Sequence, residues 1–211
     1  MNQILYSECK NIIQIKKKKK MKFKLLLYFS FFLITGLFVY FLYSSFITTK
    51  EEKFSKNLLS SFTLDRLYSA KNYVSTVSYQ NSSVFIIGII QIPAINIEYP
   101  ILSDMNEELL KISPCRFYGP YPNEKGNLCI AAHNYDNDKF FSNLYKLSIG
   151  DTINILDSKN TMISYKVFQK FEVSKNDVSS TSQNTNGKKE ITLVTCNNLN
   201  GNRLIVKASE L

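Results

Sequence analysis

The chain has 211 residues, a formal net charge of +9, four cysteines, one histidine and no tryptophan. That length holds one domain with appendages or two very small ones, and an apolar content of 45% excludes a wholly disordered chain. A zinc site of two cysteines and two histidines is impossible, no Cys-x-x-Cys pair occurs, and any mechanism that uses an imidazole must use His133.

The charge is concentrated at one end. Residues 1–24 carry eight lysines (Lys10, Lys16 to Lys20, Lys22 and Lys24) against Glu8, a net of +7, whereas residues 25–211 carry a net of +2. The 23 residues from Leu25 to Ile47 contain no charge. As a helix they span about 34 Å, enough for a bilayer core of about 30 Å. Seven lysines lie within the ten residues before this run, while Lys50, Glu51, Glu52 and Lys53 after it cancel. The positive-inside rule then puts the N-terminus in the cytoplasm and everything after residue 47 outside. A cleavable signal peptide has a shorter apolar region and a small-x-small cleavage site, so the run reads as an uncleaved signal-anchor. Beside such a span the lysine run is a topology signal with affinity for anionic lipid rather than a nucleic-acid patch, and no nucleic-acid partner is expected. MKFK from Met21 followed by the apolar run already makes a complete anchor, so Met21 is the expected start and residues 1–20 a translated leader.

Residues 48–83 are polar and rich in Ser, Asn and Lys, with scattered aromatics and no Pro or Gly. They read as an extracellular stalk, partly helical because Leu58, Leu59, Phe62 and Leu67 recur at loose helical spacing. From Val84 the texture changes to short β-branched runs between turn residues. The expected strands are 84–92, 96–102, 115–118, 127–132, 152–156, 162–173, 190–196 and 203–208. Eight short strands in residues 84–211 indicate an all-β barrel or sandwich. Two helical pieces are expected, at 105–111 with its acidic first turn and at 138–147 with Phe140 or Phe141, Leu144 and Leu147 on one face. The polar segment 174–189 is long for a compact domain and is a candidate functional loop.

Cys9 precedes the span, and Cys115, Cys129 and Cys196 follow it, an odd number that leaves at least one free thiol outside. Cys129 lies in an apolar strand and reads as a buried hydrophobe; Cys115 could pair with it. Cys196 ends the run ITLVTC, and Asn197, Asn198, Asn200 and Gly201 mark a turn immediately after it. His133 has the same setting, with NLCIAA before it and Asn134, Asp136, Asn137 and Asp138 after it. Arg203 opens the next strand, and cross-strand neighbours lie about 5 Å apart, so Cys196 and Arg203 can face one site. Singly, each residue has a plain structural role: a surface histidine, an apolar filler, a solvated charge. Together they suit acyl transfer. A thiolate is the nucleophile, an imidazole protonates a leaving amine, and a guanidinium fork holds an oxyanion or a carbonyl.

TLVTC (192–196) resembles the TLxTC signature of sortases, membrane-anchored cysteine transpeptidases of Gram-positive bacteria. The resemblance extends to His133 after its strand, to FFSNLYKLSIGDTI (140–153) and to the arginine-bearing strand 203–208, and it covers roughly residues 84–211. It implies an eight-stranded closed β-barrel with short helices behind one N-terminal transmembrane helix. It also places the catalytic His, Cys and Arg on His133, Cys196 and Arg203. The threonine before the family's cysteine falls on Thr195, and Thr195 and Asn134 are expected to bind substrate. Ala132 departs from the glycine that many members carry before the histidine.

The implied reaction is attack by Cys196 on an LPxTG-like sorting signal near the C-terminus of a surface protein. A thioacyl-enzyme forms and is resolved by an amine of a cell-wall precursor or pilin. No cofactor or metal is expected, because Asp177 and Glu124 alone are too few for a calcium site needing 6–8 oxygens. Residues 48–83 lack the proline of a pilin-sortase lid, and 174–189 is too short for a class B helix, so the subclass reads as class D-like or unassigned. The rivals are an exported cysteine peptidase that uses water as acceptor, an L,D-transpeptidase, which would carry His and Gly where Val194 and Thr195 stand, and a non-enzymatic membrane-tethered β domain.

Overall fold

The computed structural model describes residues 2–68, 76–79, 82–135 and 138–211. Asp136, Asn137 and Tyr73 lie outside the described residues, as do the side chains of Cys9 and Leu67. The chain divides into two compact units, Met1–Thr49 and Lys50–Leu211. Helix α1 (Asn2–Tyr68) contributes to both. Among the described residues, one helix is long and apolar enough to cross a bilayer. Its large apolar side chains from Leu25 to Phe46, Phe32 and Phe41 among them, are exposed.

The second unit is built from nine strands: β1 (Thr76–Tyr79), β2 (Ser82–Ile92), β3 (Ile97–Leu102), β4 (Cys115–Tyr118), β5 (Gly126–Ala131), β6 (Thr152–Asp157), β7 (Met162–Val173), β8 (Lys189–Cys196) and β9 (Arg203–Glu210). The strand order β2-β3-β4-β5-β8-β9-β7-β6 closes through pairing of β6 with β2, giving an eight-stranded barrel, with β1 added to the start of β2. The eight strands expected from the β-branched runs are all present. β1 was not foreseen, because TVSY sits in the polar segment 48–83 and its pairing with residues 82–85 is a tertiary event. Closure brings β2 and β6 so near that a Cβ on Gly88 would lie 2.5 Å from the Leu156 carbonyl oxygen. Glycine is therefore required at the seam.

Two apolar cores follow from this closure. Inside the barrel, Ile90, Ile92, Ile101, Ile130, Ile155 and Leu193 are buried, with Tyr165 among them. Outside it, Ile86 and Ile89 of β2 pack with Leu102, Leu109, Ile112, Cys115 and Phe62. β2 reads as a continuous apolar run because it is covered on both faces.

Phe62 belongs to the α1 residues of the second unit, and it is fully buried there. Phe54, Leu58 and Leu59 flank it at helical spacing. Glu52 forms ion pairs with Lys56 one turn on (2.9 Å) and with Lys139 of the barrel (2.8 Å). The segment that composition marks as a stalk thus holds a helix whose apolar stripe is packed on β2.

The two expected helices turn out shorter. α2 (Glu107–Leu110) is capped by Asn106, whose Oδ1 accepts from the Leu109 amide at 2.8 Å. Residues 138–147 do not form an α-helix; they hold turns and a single 3-10 turn at Leu144–Lys146. Asp138 and Phe140 lie at φ 60° and 50°, a left-handed conformation that an α-helix cannot contain, and Phe140 forms a β-bridge back to Asn134. The apolar side chains are nonetheless buried: Phe140, Phe141, Leu144 and Leu147 all enter the barrel core.

Candidate active site

Three strand ends converge at one rim of the barrel. β5 and β8 are neighbouring parallel strands in register Ala131↔Val194. Parallel strands end at the same rim, so His133, two residues past Ala131, and Cys196, two residues past Val194, leave the sheet side by side. β9 runs antiparallel to β8 and begins at Arg203, directly opposite Cys196. Its guanidinium Nη1 donates to the Cys196 Sγ at 3.1 Å.

Three hydrogen bonds extend the β5–β8 contact beyond the ladder. The Ala132 amide donates to the Val194 carbonyl (3.1 Å). The buried Thr195 hydroxyl donates to the Ala132 carbonyl (2.8 Å). The Asn134 amide nitrogen donates to the Cys196 carbonyl (2.7 Å). The polar groups of Thr195 and Asn134 are therefore engaged in bracketing the segments on either side of His133 to those on either side of Cys196. On the far side, the Phe141 amide donates to the His133 carbonyl (3.1 Å), and the rings of His133 and Tyr135 stand 5.0 Å apart, tilted by 35°. Ala132 is itself buried, so the small residue before the histidine sits where little room is available.

His133 is held below its ordinary value of 6.5, first by burial and then by repulsion from Lys111, with Glu107 opposing. Both charged residues come from the α2 region. Met105, Glu107, Leu110 and Lys111 line one side of a cavity of about 500 Å³ that also holds His133, Thr195, Cys196 and Arg203. The loop 174–189 forms another side, with Lys175, Asp177, Val178, Ser180 and Thr181. The α2 contribution was invisible in sequence. EELLK signals a helix, but nothing in it signals which end of the barrel it faces.

Cys115 and Cys129 are buried free thiols. The β4–β5 register sets Cys115 opposite Ala131 and Cys129 opposite Tyr118, so the pairing that the sequence left open is not formed. Burial pushes Cys129 up to about 12 and raises Cys115 as well. Of the three cysteines beyond the apolar span, only Cys196 is partly open to solvent. Among the described residues, no three His, Cys, Asp or Glu side chains stand together as a metal site.

A closed β-barrel thus presents a cysteine, a histidine and an arginine at one rim. The family model for the sortase domain matches residues 90–211, and the chain belongs to the sortase family. Sortase A of Bacillus anthracis is 31% identical over 118 residues, covering 53% of this chain. The chain spans about half the length of that curated relative, 52% of it. Among solved structures, a Clostridium perfringens sortase D5 transpeptidase superposes with a TM-score of 0.64 at 27% identity, covering 76% of this chain and 99% of that one. Sortase C of Streptococcus pneumoniae superposes with a TM-score of 0.54 at 27% identity, covering 59% and 66%.

Proposed function

We propose that the protein is a cysteine transpeptidase. In this reading Cys196 cleaves an LPxTG-like sorting signal of a surface protein and passes the acyl group to an amine on a cell-wall precursor or a pilin. The observation that carries it is the 3.1 Å contact from Arg203 to the Cys196 sulfur at the rim from which His133 also emerges. A permanent cation with five N–H donors in a planar fork stands on the nucleophile. The same group is placed to hold a carbonyl oxygen as it becomes an oxyanion.

The chemistry runs in two halves. The proton of the Cys196 thiol passes to His133, and the sulfur attacks the scissile carbonyl carbon. The C–N bond breaks, and His133 returns the proton to the leaving amine. An incoming neutral amine then attacks the thioester carbon, His133 takes its proton, and the C–S bond breaks to release the new amide. Thr195 and Asn134 hold the two halves of the site in register. The mixed apolar and charged lining of the cavity, Leu110 and Val178 beside Lys175 and Asp177, suits a short extended peptide.

The lysine-rich leader and the apolar helix support a single-pass anchor with the N-terminus cytoplasmic and the barrel outside. The match to nearly the whole of the sortase D5 chain favours a class D-like assignment. The test is to incubate the detergent-solubilised full chain with a library of pentapeptide sorting signals, with and without an amine acceptor. Mass spectrometry should find an acyl adduct on Cys196 and, with amine, a transfer product. Turnover that persists undiminished in Cys196→Ala overturns the reading. Hydrolysis that no amine diverts would make the protein a peptidase.

A further inference from the structure

Asn127 is fully buried near the start of β5, at the end of that strand away from His133. Its Nδ2 donates to the carbonyls of Ser180 (2.9 Å) and Ser182 (3.1 Å), and its Oδ1 accepts from the buried Thr192 hydroxyl at 2.8 Å. Ser180 and Thr181 line the cavity that holds His133 and Cys196. Resting on the transpeptidase reading above, we propose that Asn127 and Gln183 form a latch that positions the 174–189 loop beside this cavity and so sets the affinity for the acyl-donor peptide.

Gln183 makes the other half of the latch. The β4–β5 ladder stops at Tyr118, and the chain then turns at Gly119, whose φ is 87°. Gln183 takes the place of the next strand residue. Its Oε1 accepts from the Asn127 amide at 3.0 Å and its Nε2 donates to the Asn127 carbonyl at 2.9 Å. One side-chain amide thus reproduces the pair of bonds that an antiparallel neighbour would exchange. The same Nε2 also donates to the Thr181 carbonyl at 2.9 Å. Glycine is needed at 119, because a Cβ there would run into the Asn127 carbonyl oxygen and stand 3.2 Å from Gln183 Nε2.

The latch divides the loop into a fixed half and a free half. Past Gln183, Thr185 is buried and its hydroxyl donates to the Lys188 carbonyl (2.7 Å), which also accepts from the Gly126 amide of β5 (3.1 Å). Among the described residues, the hydrogen bonds of 175–179 stay inside the loop. The Asp177 amide donates to the Ser174 carbonyl (2.9 Å), and the Ser179 amide to Asp177 Oδ1 (2.8 Å). Lys175, Asp177 and Val178 therefore depend on Ser180 and Thr181 for their place on the cavity wall. Burial of a polar side chain is favourable only when its hydrogen bonds are made, so Asn127 is satisfied in one loop conformation, the one that lines the cavity. Its bonds run to loop carbonyls and a strand hydroxyl, not to Cys196, His133 or Arg203, which makes Asn127 and Gln183 positioning residues.

The test uses the full chain and single-turnover acylation by a pentapeptide sorting signal that the wild type accepts. Gln183 is exposed, so Gln183→Met keeps the length of the side chain, removes its amide and leaves the core intact. The half-saturating peptide concentration should rise about three- to tenfold, the scale of one net hydrogen bond. The limiting acylation rate should stay within about twofold, and so should labelling of Cys196 by a small uncharged thiol reagent. Thr192→Val, which leaves the Asn127 oxygen without its donor, should raise the same concentration, and Thr192→Ser, which keeps the hydroxyl, should not. Hydrogen exchange should quicken at residues 178–183 in Gln183→Met. A quickened loop with unchanged half-saturation would make the latch purely structural and overturn the proposal. Equal falls in limiting rate and in reagent labelling would also overturn it, by placing the effect on the thiol. Failure of the wild-type chain to form an adduct with any peptide would instead remove the transpeptidase reading on which the proposal rests.

Discussion

Arg203 donates to the sulfur of Cys196 from the directly opposed position on the neighbouring antiparallel strand, at 3.1 Å. Because both residues belong to one strand pair, their contact is set by the sheet ladder rather than by a loop. Arg203→Ala should lower the rate of adduct formation by about 10²–10³, the usual consequence of removing a donor from an oxyanion site. Arg203→Lys keeps the charge but not the planar fork and should fall between the two. Single-turnover acylation measured by quenched mass spectrometry gives the values, and a wild-type rate in Arg203→Ala would exclude the arginine from chemistry.

The lone histidine makes its titration unusually easy to read, since one imidazole signal exists in the chain. His133 should titrate below 6.5 because burial and Lys111 disfavour its cation. Removing the repulsion in Lys111→Gln should move the midpoint upward, and Glu107→Gln should move it downward. The stability consequence has a definite sign. With its folded value depressed, His133 favours the folded chain fully above about 6.5 and withdraws that support as pH falls toward the folded value, because the unfolded chain takes up the proton first. NMR across the acid range, with denaturation at each pH, checks both.

Thr195→Val conserves shape and deletes the buried donor to the Ala132 carbonyl. The expected cost is about 1–3 kcal/mol, together with a fall in kcat, because the bond ties the residue before His133 to the residue before Cys196. Urea unfolding and steady-state kinetics on the same preparation separate the two effects.

Phe62→Ala empties a fully buried position between the α1 segment and β2. A loss of about 3–5 kcal/mol is expected. Glu52→Gln, which breaks a partly exposed ion pair to Lys139, should cost at most about 1 kcal/mol. A negligible effect of Phe62→Ala in thermal unfolding would mean that this helix contributes nothing to the barrel's stability.

Cys115 and Cys129 should resist a small thiol reagent in the native chain, whereas Cys196 is modified. Burial removes the first two from solvent and disfavours their thiolates. Peptide mapping after labelling should find them modified only when the chain is unfolded first.

Much of this molecule is local information. The β-branched runs separated by turn residues mark all eight barrel strands, because a strand with a buried face needs that pattern wherever it sits. The hairpin between Cys196 and Arg203 is equally local, since six Asn- and Gly-rich residues bring the chain straight back. The concentration of the +9 in a lysine leader, and the single histidine, were likewise plain from composition.

What the sequence could not determine depends on residues far apart in it. That β5 and β8 are parallel neighbours, 63 residues apart at Ala131 and Val194, is decided by closure of the barrel, and it alone brings His133 to Cys196. Residues 138–147 carry a helical pattern, yet the pull of Phe140 back to Asn134 and into the core overrides it. α2 faces the thiol because Leu109 and Ile112 are drawn into the outer core, leaving Glu107 and Lys111 toward the imidazole. Glu172 lies at the end of β7, and only the packing of that strand beside the 197–202 hairpin brings its carboxylate to Asn197 and Asn200. Composition and periodicity report the conformation each segment prefers; the meeting of the arginine, the histidine and the thiol is settled by which strands pair.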